Sequence, residues 1–243
     1  MAYIGEIARY AHDSATNVSS VSVPVSFAAP AGTRIILAVT TNPNTAVTGY
    51  TATDSKGNTW TQRSLQVHAT SNNSDLGILE CLVTTALTTS DIITVGNTSS
   101  LRSPAIWIVL AEGFDDLSGG FDVQASATGT STAPASGATG TAAQNGELVF
   151  GAVGFTGNPT FTTGAGFTGP AGGQLNTTST LRGLGVEWQY VNAAGTRSAG
   201  GTLSTSQGWC AAAAAFEQGA AALQPFCFYF DGTNDIPMDV TVA

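Results

Sequence analysis

Seven acidic residues stand where a carboxylate could take part in chemistry. They are Glu80, Glu112, Asp115, Asp116, Glu147, Glu187 and Glu217. A glycoside hydrolase needs two carboxylates that face one cleft. Most of these acids fall at predicted strand ends or at outward positions, where solvated surface charges are common, and the chain has too few acids and aromatic residues to line such a cleft. The sequence therefore predicts no catalytic residues and favours a protein that is not an enzyme.

Histidine, serine and metal chemistry have equally little support. His12 and His68 are the only histidines, neither lies near a cysteine pair, and no Gly-x-Ser-x-Gly elbow occurs. Two groups of residues could offer oxygen ligands to calcium: Asp115 and Asp116 with Asp122, and Asp231 with Asn234 and Asp235. Neither group matches an EF-hand loop, and such clusters are typical of turns. We therefore expect no metal site and no cofactor.

Carbohydrate binding has somewhat more support. Uncharged β-sandwiches can stack Trp or Tyr rings on pyranose rings, while Asn and Thr side chains form the hydrogen bonds. The remaining tryptophans, Trp107, Trp188 and Trp209, are better explained as core residues. The candidate glycan-binding residues are two rings and two residues of the loop 71–75: Tyr50, Trp60, Asn72 and Asn73.

The composition indicates a folded protein with an almost uncharged surface. The chain has 243 residues, only 9% of them charged, and a net charge of −9; typical globular domains carry about 25% charged residues. A hydrophobic content of 42% is too high for a disordered chain. The negative charge repels nucleic-acid phosphates and anionic membrane surfaces, and no apolar run approaches the roughly 18 residues of a transmembrane helix. We therefore expect neither nucleic-acid binding nor membrane insertion.

The N-terminus and the cysteines bear on where the protein works. Residues 1–10 (MAYIGEIARY) lack a basic start followed by an apolar core, which argues against a signal peptide. Cys81, Cys210 and Cys227 form no disulfide framework, and the first two fall in apolar strand patterns that predict buried free thiols. The low charged fraction suits an extracellular protein, yet the N-terminus does not resemble a leader. Three explanations fit both observations: a leader that was removed, another secretion route, or a virion protein exposed after lysis.

Two short apolar runs organise the predicted architecture. Residues 105–114 (AIWIVLAEGF) and 208–217 (GWCAAAAAFE) each have a Trp near the start and a Phe beside a Glu at the end. We interpret both as central buried strands that close two related halves, about 1–114 and 121–219. The five alanines at 211–215 favour a helix by propensity, but the match to the first run and the flanking glycines favour a strand.

Further matches between the halves support an internal duplication of a five- or six-strand unit. The apolar segment 35–39 corresponds to 148–153, and each follows a glycine turn. Glu80 is aligned with Glu187, which places three residues of the second half on the face of Leu79, Cys81 and Val83: Val186, Trp188 and Tyr190. Identity between the halves is low, so a chance similarity of β-patterns is the alternative.

Two local patterns make sharper predictions. Alternation in the segment 18–27 predicts a half-buried strand, and Pro24 places it at a sheet edge. Residues 54–58 (DSKGN) predict a hairpin loop in which Gly57 takes positive φ. The predicted inward residues of the first segment alternate along it: Val21, Val23, Val25 and Phe27.

The last 24 residues, 220–243, have a different pattern that predicts an added β-hairpin. Strands over 225–230 and 236–242 would be joined by a turn at 231–235. A unit this small does not fold alone, so it must pack on the sandwich, on a sister subunit or on an assembly partner. A simple edge extension of the main sheet is the alternative. The predicted assembly contact consists of four aromatic residues: Phe226, Phe228, Tyr229 and Phe230.

Several segments together resemble a family. They are 53–61 (TDSKGNTWT), 147–153 (ELVFGAV), 163–168 (TGAGFT), 186–190 (VEWQY) and the strand that begins with Trp209. Over about residues 15–218 the chain resembles β-sandwich virion proteins of actinobacterial phages, which are similar to modules of bacterial surface proteins. The resemblance implies a minor tail or capsid-decorating protein, sometimes linked to host attachment. The shared positions are turn and core positions, so the resemblance transfers no binding residue.

We therefore predict an all-β protein with a two-sheet, jelly-roll-like β-sandwich over 1–219, built from two similar halves, and a C-terminal β-hairpin over 220–243. Two tandem smaller sandwiches are the main alternative. The predicted function is a phage virion structural protein on the particle exterior that could aid host-surface attachment. Expected partners are other virion proteins, copies of the chain itself and a host cell-surface glycan. A carbohydrate-binding module or adhesin-like domain without catalysis is the second hypothesis, and an enzyme that uses Glu187 on cell-wall polysaccharide is the third.

Overall fold

The computed structural model describes residues 3–12, 16–42, 47–68, 74–114, 120–141, 146–178, 181–218, 228–230 and 235–237. These residues form β-strands, turns and loops without a helix, so the all-β prediction is confirmed. In particular, none of them belongs to a helix that is long and apolar enough to cross a membrane. The abundance of Val, Ile and Thr in the strands explains the preference, because branched side chains fit a pleated surface.

The first half contributes two antiparallel sheets. Sheet I has the strand order β1-β8-β3-β6-β5, and sheet II has the order β2-β7-β4. Proline 24 ends β2 at the edge of sheet II, as its missing N–H predicts. The strands are β1 (Tyr3–Ala11), β2 (Asn17–Pro24), β3 (Arg34–Thr40), β4 (Tyr50–Asp54), β5 (Trp60–His68), β6 (Ser74–Leu82), β7 (Ile92–Arg102) and β8 (Ala105–Glu112).

The second half repeats this arrangement. Sheet III has the order β9-β15-β10-β13-β12, and sheet IV is the pair β11-β14. An isolated bridge from Ala135 to Gly200 stands where β2 pairs with β7 in the first half. The strands are β9 (Phe121–Ser131), β10 (Glu147–Thr156), β11 (Phe161–Thr163), β12 (Gln174–Asn176), β13 (Arg182–Val191), β14 (Gly201–Leu203) and β15 (Gln207–Glu217).

Each half has the wrapped strand order of a jelly roll. In the first half β1 pairs with β8, β2 with β7, and β3 with β6. The equivalent ladders of the second half join β9 to β15 and β10 to β13. The predicted repeat is therefore present in the topology, although the repeating unit has eight strand positions and not five or six.

The layers show two sandwiches placed back to back. One core cluster, with Leu37, Val95 and Ile108, lies between sheets I and II. A second cluster, with Trp107, Phe150 and Phe216, lies between sheets I and III. Sheet IV covers the far face of sheet III through Phe155, Phe161 and Trp209. The predicted β-sandwich of two similar halves is therefore confirmed in the described residues, where each half packs two sheets and sheets I and III join the halves.

Burial on both faces explains the continuous apolar strands. Every residue of β3 and of β10 is buried. Ile35 and Leu37 face the core between sheets I and II, while Ile36 faces the core between sheets I and III. No sheet in the described ranges combines strands of both halves. The domain boundaries at 1–114 and 121–219 themselves stay a prediction.

The alanine segment 211–215 is a strand, as predicted. It lies within β15, which pairs with β10 on one side and β9 on the other. Ala212 and Ala214 face sheet I, while Ala213 and Ala215 face the outer layer. Packing on both faces outweighs the preference of alanine for a helix, which is worth less than about 1 kcal/mol per residue, and the small side chains let neighbouring layers approach closely.

Glu80 and Glu187, which the sequence alignment of the halves matches, lie on opposite faces of their respective sheets. Glu80 lies opposite Ile36, on the face of sheet I that meets sheet III. Glu187 lies opposite Gly151, on the face of sheet III that points away from sheet I. The alignment is therefore wrong by one residue, because a shift of one position in a strand reverses every side chain. The tryptophans differ in the same way, since Trp107 packs between sheets I and III and Trp209 in the outer cluster.

Three further details are settled by the coordinates. Phe27 is 53% exposed because β2 has ended before it, so its predicted inward position is wrong. The loop 54–58 is not a hairpin, since β4 belongs to sheet II and β5 to sheet I, although Gly57 has the predicted positive φ of 77°. The predicted C-terminal hairpin is present as β16 (Phe228–Phe230) paired antiparallel with β17 (Asp235–Pro237).

Candidate functional site

A groove beside Tyr190 is a candidate site among the described residues. It encloses about 520 Å3 and lies where β1 of the first half meets the end of β13 in the second half. Ile4 contributes the first half's share of the wall. None of the described lining residues carries a charge. The second half contributes Gly166, Thr168, Trp188, Gln189, Tyr190 and Gln218.

The ring of Tyr190 is exposed but held in place. Its side chain is 42% exposed, and its hydroxyl donates to Gln218 Oε1 at 2.7 Å. The ring of Phe114 meets it edge to face, with centroids 6.3 Å apart. Gly146 has φ +86°, and a Cβ there would lie 3.2 Å from the tyrosine hydroxyl. These contacts favour one orientation of the exposed ring.

The opposite side of the groove is built by a short bridge between a loop and β13. Thr168 and Trp188 exchange both backbone hydrogen bonds at 2.8 Å. Gly166 has φ +83°, and a Cβ on it would lie 3.0 Å from Gln189 Nε2. Glycine at this position therefore leaves room for the Gln189 amide. Trp188 is partly buried and packs against the core between sheets I and III.

A second cavity continues on the other side of Tyr190. It encloses about 350 Å3, and its lining includes Asn192, Ala193 and Arg197. The guanidinium of Arg197 donates to the Ala193 carbonyl at 2.6 Å and to the Thr196 carbonyl at 3.1 Å. Tyr190, together with Gln189, therefore lines both cavities.

Of the predicted glycan-binding residues, the structure describes Tyr50 and Trp60. Tyr50 is only 4% exposed, and its hydroxyl donates to Thr41 Oγ1 at 3.3 Å. Its predicted exposed ring is therefore wrong, because a buried ring offers no face to a sugar. Trp60 is half-buried, packs on the core between sheets I and II, and donates from Nε1 to Asp54 Oδ2 at 2.9 Å. Asn72 and Asn73 lie outside the described residues.

The predicted assembly contact is described only in part. Phe228, Tyr229 and Phe230 form β16, and Phe226 lies outside the described residues. Tyr229 stands opposite Ile236 in the ladder. Assembly through these residues stays a prediction.

Glu80 is a buried ion-pair partner and not a solvated surface charge. It is 4% exposed, and both Arg34 and Arg63 donate to its carboxylate, Arg63 Nε at 2.9 Å. The Arg34 Nε also donates to the Phe114 carbonyl at 3.0 Å. Both guanidiniums lie over aromatic rings of the second half, namely Phe216 and Phe121. The group is therefore a structural contact between the halves.

Glu187, the residue of the enzyme hypothesis, is also buried. Its carboxylate accepts hydrogen bonds from the backbone of Gly164 at 2.6 Å and Gly200 at 2.7 Å. Burial raises the pKa of this carboxyl, while the two amide hydrogen bonds oppose the rise. The predicted outward position is wrong, since the side chain ties two loops to sheet III and lies in neither cavity beside Tyr190.

Three other carboxyls meet at one end of sheet III. Oxygens of Asp122, Glu147 and Glu217 lie within 4.8 Å of one another. Glu147 is fully buried, and its backbone lies opposite that of Glu217 in the ladder between β10 and β15. Asp122 was predicted to join Asp115 and Asp116, which lie outside the described residues. Neither cavity beside Tyr190 includes any of the three grouped carboxyls.

A buried carboxylate also stands at the junction of the halves. Asp75 is fully buried and accepts from the Thr41 amide at 2.6 Å and from the Thr41 hydroxyl at 2.7 Å. Burial raises the pKa of Asp75 to about 6, against the opposing effect of hydrogen bonds from Tyr50 and Thr41 and of the nearby Arg182 charge. Arg182 Nη2 in turn donates to Asn42 Oδ1 at 2.8 Å, from the second half to the first.

Sequence reasoning missed the groove for a specific reason. Tyr190 and Trp188 were placed on an inner face by the alignment of Glu80 with Glu187, and that alignment is off by one residue. The available signal was the segment 188–192 (WQYVN), in which rings alternate with amides at the end of a strand. Ile4 and Gln218 are distant in sequence and join the groove only through the contact between sheets I and III.

Comparison of the chain with protein-family models, with curated proteins and with solved structures found no match.

Proposed function

We propose that this chain is a non-enzymatic structural protein on the exterior of a phage particle, as a minor tail or capsid-decorating protein. The observation that carries the proposal is the jelly-roll strand order in both halves. Jelly rolls recur in viral capsid proteins and in lectins. This is an argument by analogy of fold, and it agrees with the resemblance of the sequence to phage virion proteins.

The contact between the halves supports a structural role. Sheets I and III bury Trp107, Phe150 and Phe216 between them, together with the Arg34–Glu80 ion pair. Apolar packing of this kind holds two sandwiches in one orientation, which suits a coat or spacer protein. The low charged fraction, 9%, agrees with a protein that works outside the cell.

The described acids also favour a protein without catalysis. Glu80 and Glu187 are each satisfied by structural partners, namely two arginines and two backbone amides. A hydrolytic pair requires carboxylates on either side of a substrate-sized cleft. Among the described residues, those that line the cavities beside Tyr190 include rings, amides and Arg197, and neither Glu80 nor Glu187 is one of them.

Purified phage particles test the proposal. We expect antibodies against the chain to label intact particles by immunogold electron microscopy, and mass spectrometry of separated heads and tails to find it in one fraction. An abundant cytoplasmic protein of the host serves as the control for contamination. Presence in the infected-cell lysate together with absence from gradient-purified particles would contradict the proposal.

A further inference from the structure

We propose that the groove beside Tyr190 is a binding site for a neutral saccharide. The described residues that line the groove include the aromatic rings of Trp188 and Tyr190 and the amides of Gln189 and Gln218. This combination is the one that sugar recognition uses, because rings cover the apolar face of a pyranose and amides pair with its hydroxyls. The site is distinct from Trp60, which lies in the first half.

The charges around the groove select among ligands. The described lining residues of the larger cavity are all uncharged, so an ionic ligand would be desolvated there without a counter-charge. The adjoining cavity includes Arg197, whose guanidinium donates to the carbonyls of Ala193 and Thr196 and keeps its positive charge. The preference for a neutral ligand therefore rests on the described residues of the larger cavity alone.

Preorganisation distinguishes this groove from a shallow surface feature. Tyr190 is fixed by Phe114 and by the hydrogen bond to Gln218. The Gln218 backbone in turn donates to the Gly146 carbonyl at 2.8 Å. Ring and amide thus keep their relative position without ligand, so less free energy is lost on ordering them.

Size and position fit a short oligosaccharide. The cavities of about 520 and 350 Å3 flank one ring, and each lies within the range of about 300–1,000 Å3 typical of ligand sites. The larger one lies at the junction of the two sandwiches, a common place for binding sites. An exposed ring between two cavities can contact consecutive sugar units.

The first experiment asks whether the full chain binds neutral sugars. The purified protein is applied to an array of neutral oligosaccharides of glucose, galactose, mannose and N-acetylglucosamine, with sialylated and sulfated glycans on the same array. The best neutral binder is then titrated by isothermal calorimetry. We expect binding to neutral members and none to the charged ones. Binding to charged glycans alone, or no neutral binding at millimolar concentration, would overturn the inference.

Matched variants locate the site. Tyr190→Ala removes an exposed ring and should weaken binding at least about tenfold, equivalent to about 1.4 kcal/mol. Gln189→Ala should weaken it by a similar factor without touching the ring. Phe27→Ala is the control, because it removes another exposed ring, in the first half, and should leave the affinity unchanged. Far-ultraviolet circular dichroism and melting curves verify that each variant is folded.

Two results would place the site elsewhere. Unchanged affinity in folded Tyr190→Ala and Gln189→Ala would overturn the assignment to this groove. Loss of binding in a folded Trp60→Ala, with Tyr190→Ala unaffected, would assign binding to the first half. The inference does not depend on the virion proposal, since a chain absent from particles that still binds sugar through Tyr190 would refute only the latter.

Discussion

The guanidinium carbon of Arg63 lies 4.6 Å from the centre of the Phe121 ring, so a cation of the first half contacts an aromatic ring of the second. The same guanidinium donates to Glu80, which also accepts from the buried Arg34. The two guanidinium groups therefore share one carboxylate inside the contact between the halves. Such an arrangement makes the two sandwiches dependent on a few polar groups as well as on apolar area.

Removal of the Glu80 charge should strongly destabilise the protein. Glu80→Gln leaves the buried Arg34 without its counter-ion, and loss of one partner of a buried pair costs about 3–5 kcal/mol. We expect the free energy of unfolding in urea to fall by roughly this amount. Glu6→Gln is the control, because Glu6 and Arg9 form a partly exposed pair worth about 0–1 kcal/mol. Equal effects of the two substitutions would contradict the structural role of Glu80.

The buried Asp75 should make stability fall as pH rises. Its pKa is raised from 3.8 to about 6, so the folded state binds the proton more tightly than the unfolded state. The associated stability is present in full below about pH 4 and is lost as pH rises through 6, a change of about 3 kcal/mol. In Asp75→Asn, the free energy of unfolding between pH 4 and 7 should decrease less steeply than in the native protein.

Asp91 provides a control, because its effect on stability should change with pH in the direction opposite to that of Asp75. Its pKa is held well below the usual value by hydrogen bonds from the Ser55 hydroxyl and the Thr88 amide and by Lys56. The stability that the Asp91 carboxylate contributes is therefore present at pH values above its pKa in the unfolded state and is lost as the pH falls. Asp91→Asn should reduce stability at neutral pH, and this difference should shrink in acid. If the free energy of unfolding changed with pH in the same way in the native protein and in Asp75→Asn, the assignment of this pH dependence to Asp75 would be refuted.

Close packing at Gly183 should not tolerate a methyl group. A Cβ there would lie 1.9 Å from a ring carbon of Phe155. Overpacking of this kind costs about 1–3 kcal/mol, so we expect Gly183→Ala to lower the midpoint of chemical unfolding. In Gly49→Ala the nearest atom, on Thr98, would lie 3.5 Å away, an ordinary contact. That control should change stability by less than about 0.5 kcal/mol, and a similar loss in both variants would contradict the packing argument.

The thiols of Cys81 and Cys210 should be inert in the folded protein. Both are buried, and burial raises the pKa of each thiol to about 12. Because the thiolate is the reactive form, alkylation by iodoacetamide at pH 8 should be at least about 100-fold slower than in guanidinium chloride. Peptide mapping by mass spectrometry separates these sites from Cys227, which lies outside the described residues. Equal rates in native and denatured protein would contradict their burial.

Many of the strands could be predicted because their apolar patterns are local. The segment 35–39 is apolar throughout, and β3 is buried on both faces as the pattern indicates. The strand with Trp107 and the alanine strand were identified for the same reason. The side of each strand that faces each core was not predictable, as the error of one residue between Glu80 and Glu187 illustrates.

The sequence by itself determined the all-β class, the repeat of one strand unit and the positions of β3, β8, β10 and β15, because alternation and apolar runs are properties of neighbouring residues. Only the tertiary structure decided that two jelly rolls meet through sheets I and III, and hence that Glu80 is buried and Tyr190 borders a groove. The physical reason is that burial of a strand's second face depends on which distant surface covers it. No local pattern specifies that partner, so Ile4 and Gln218 come together with Tyr190 only after the sheets have packed.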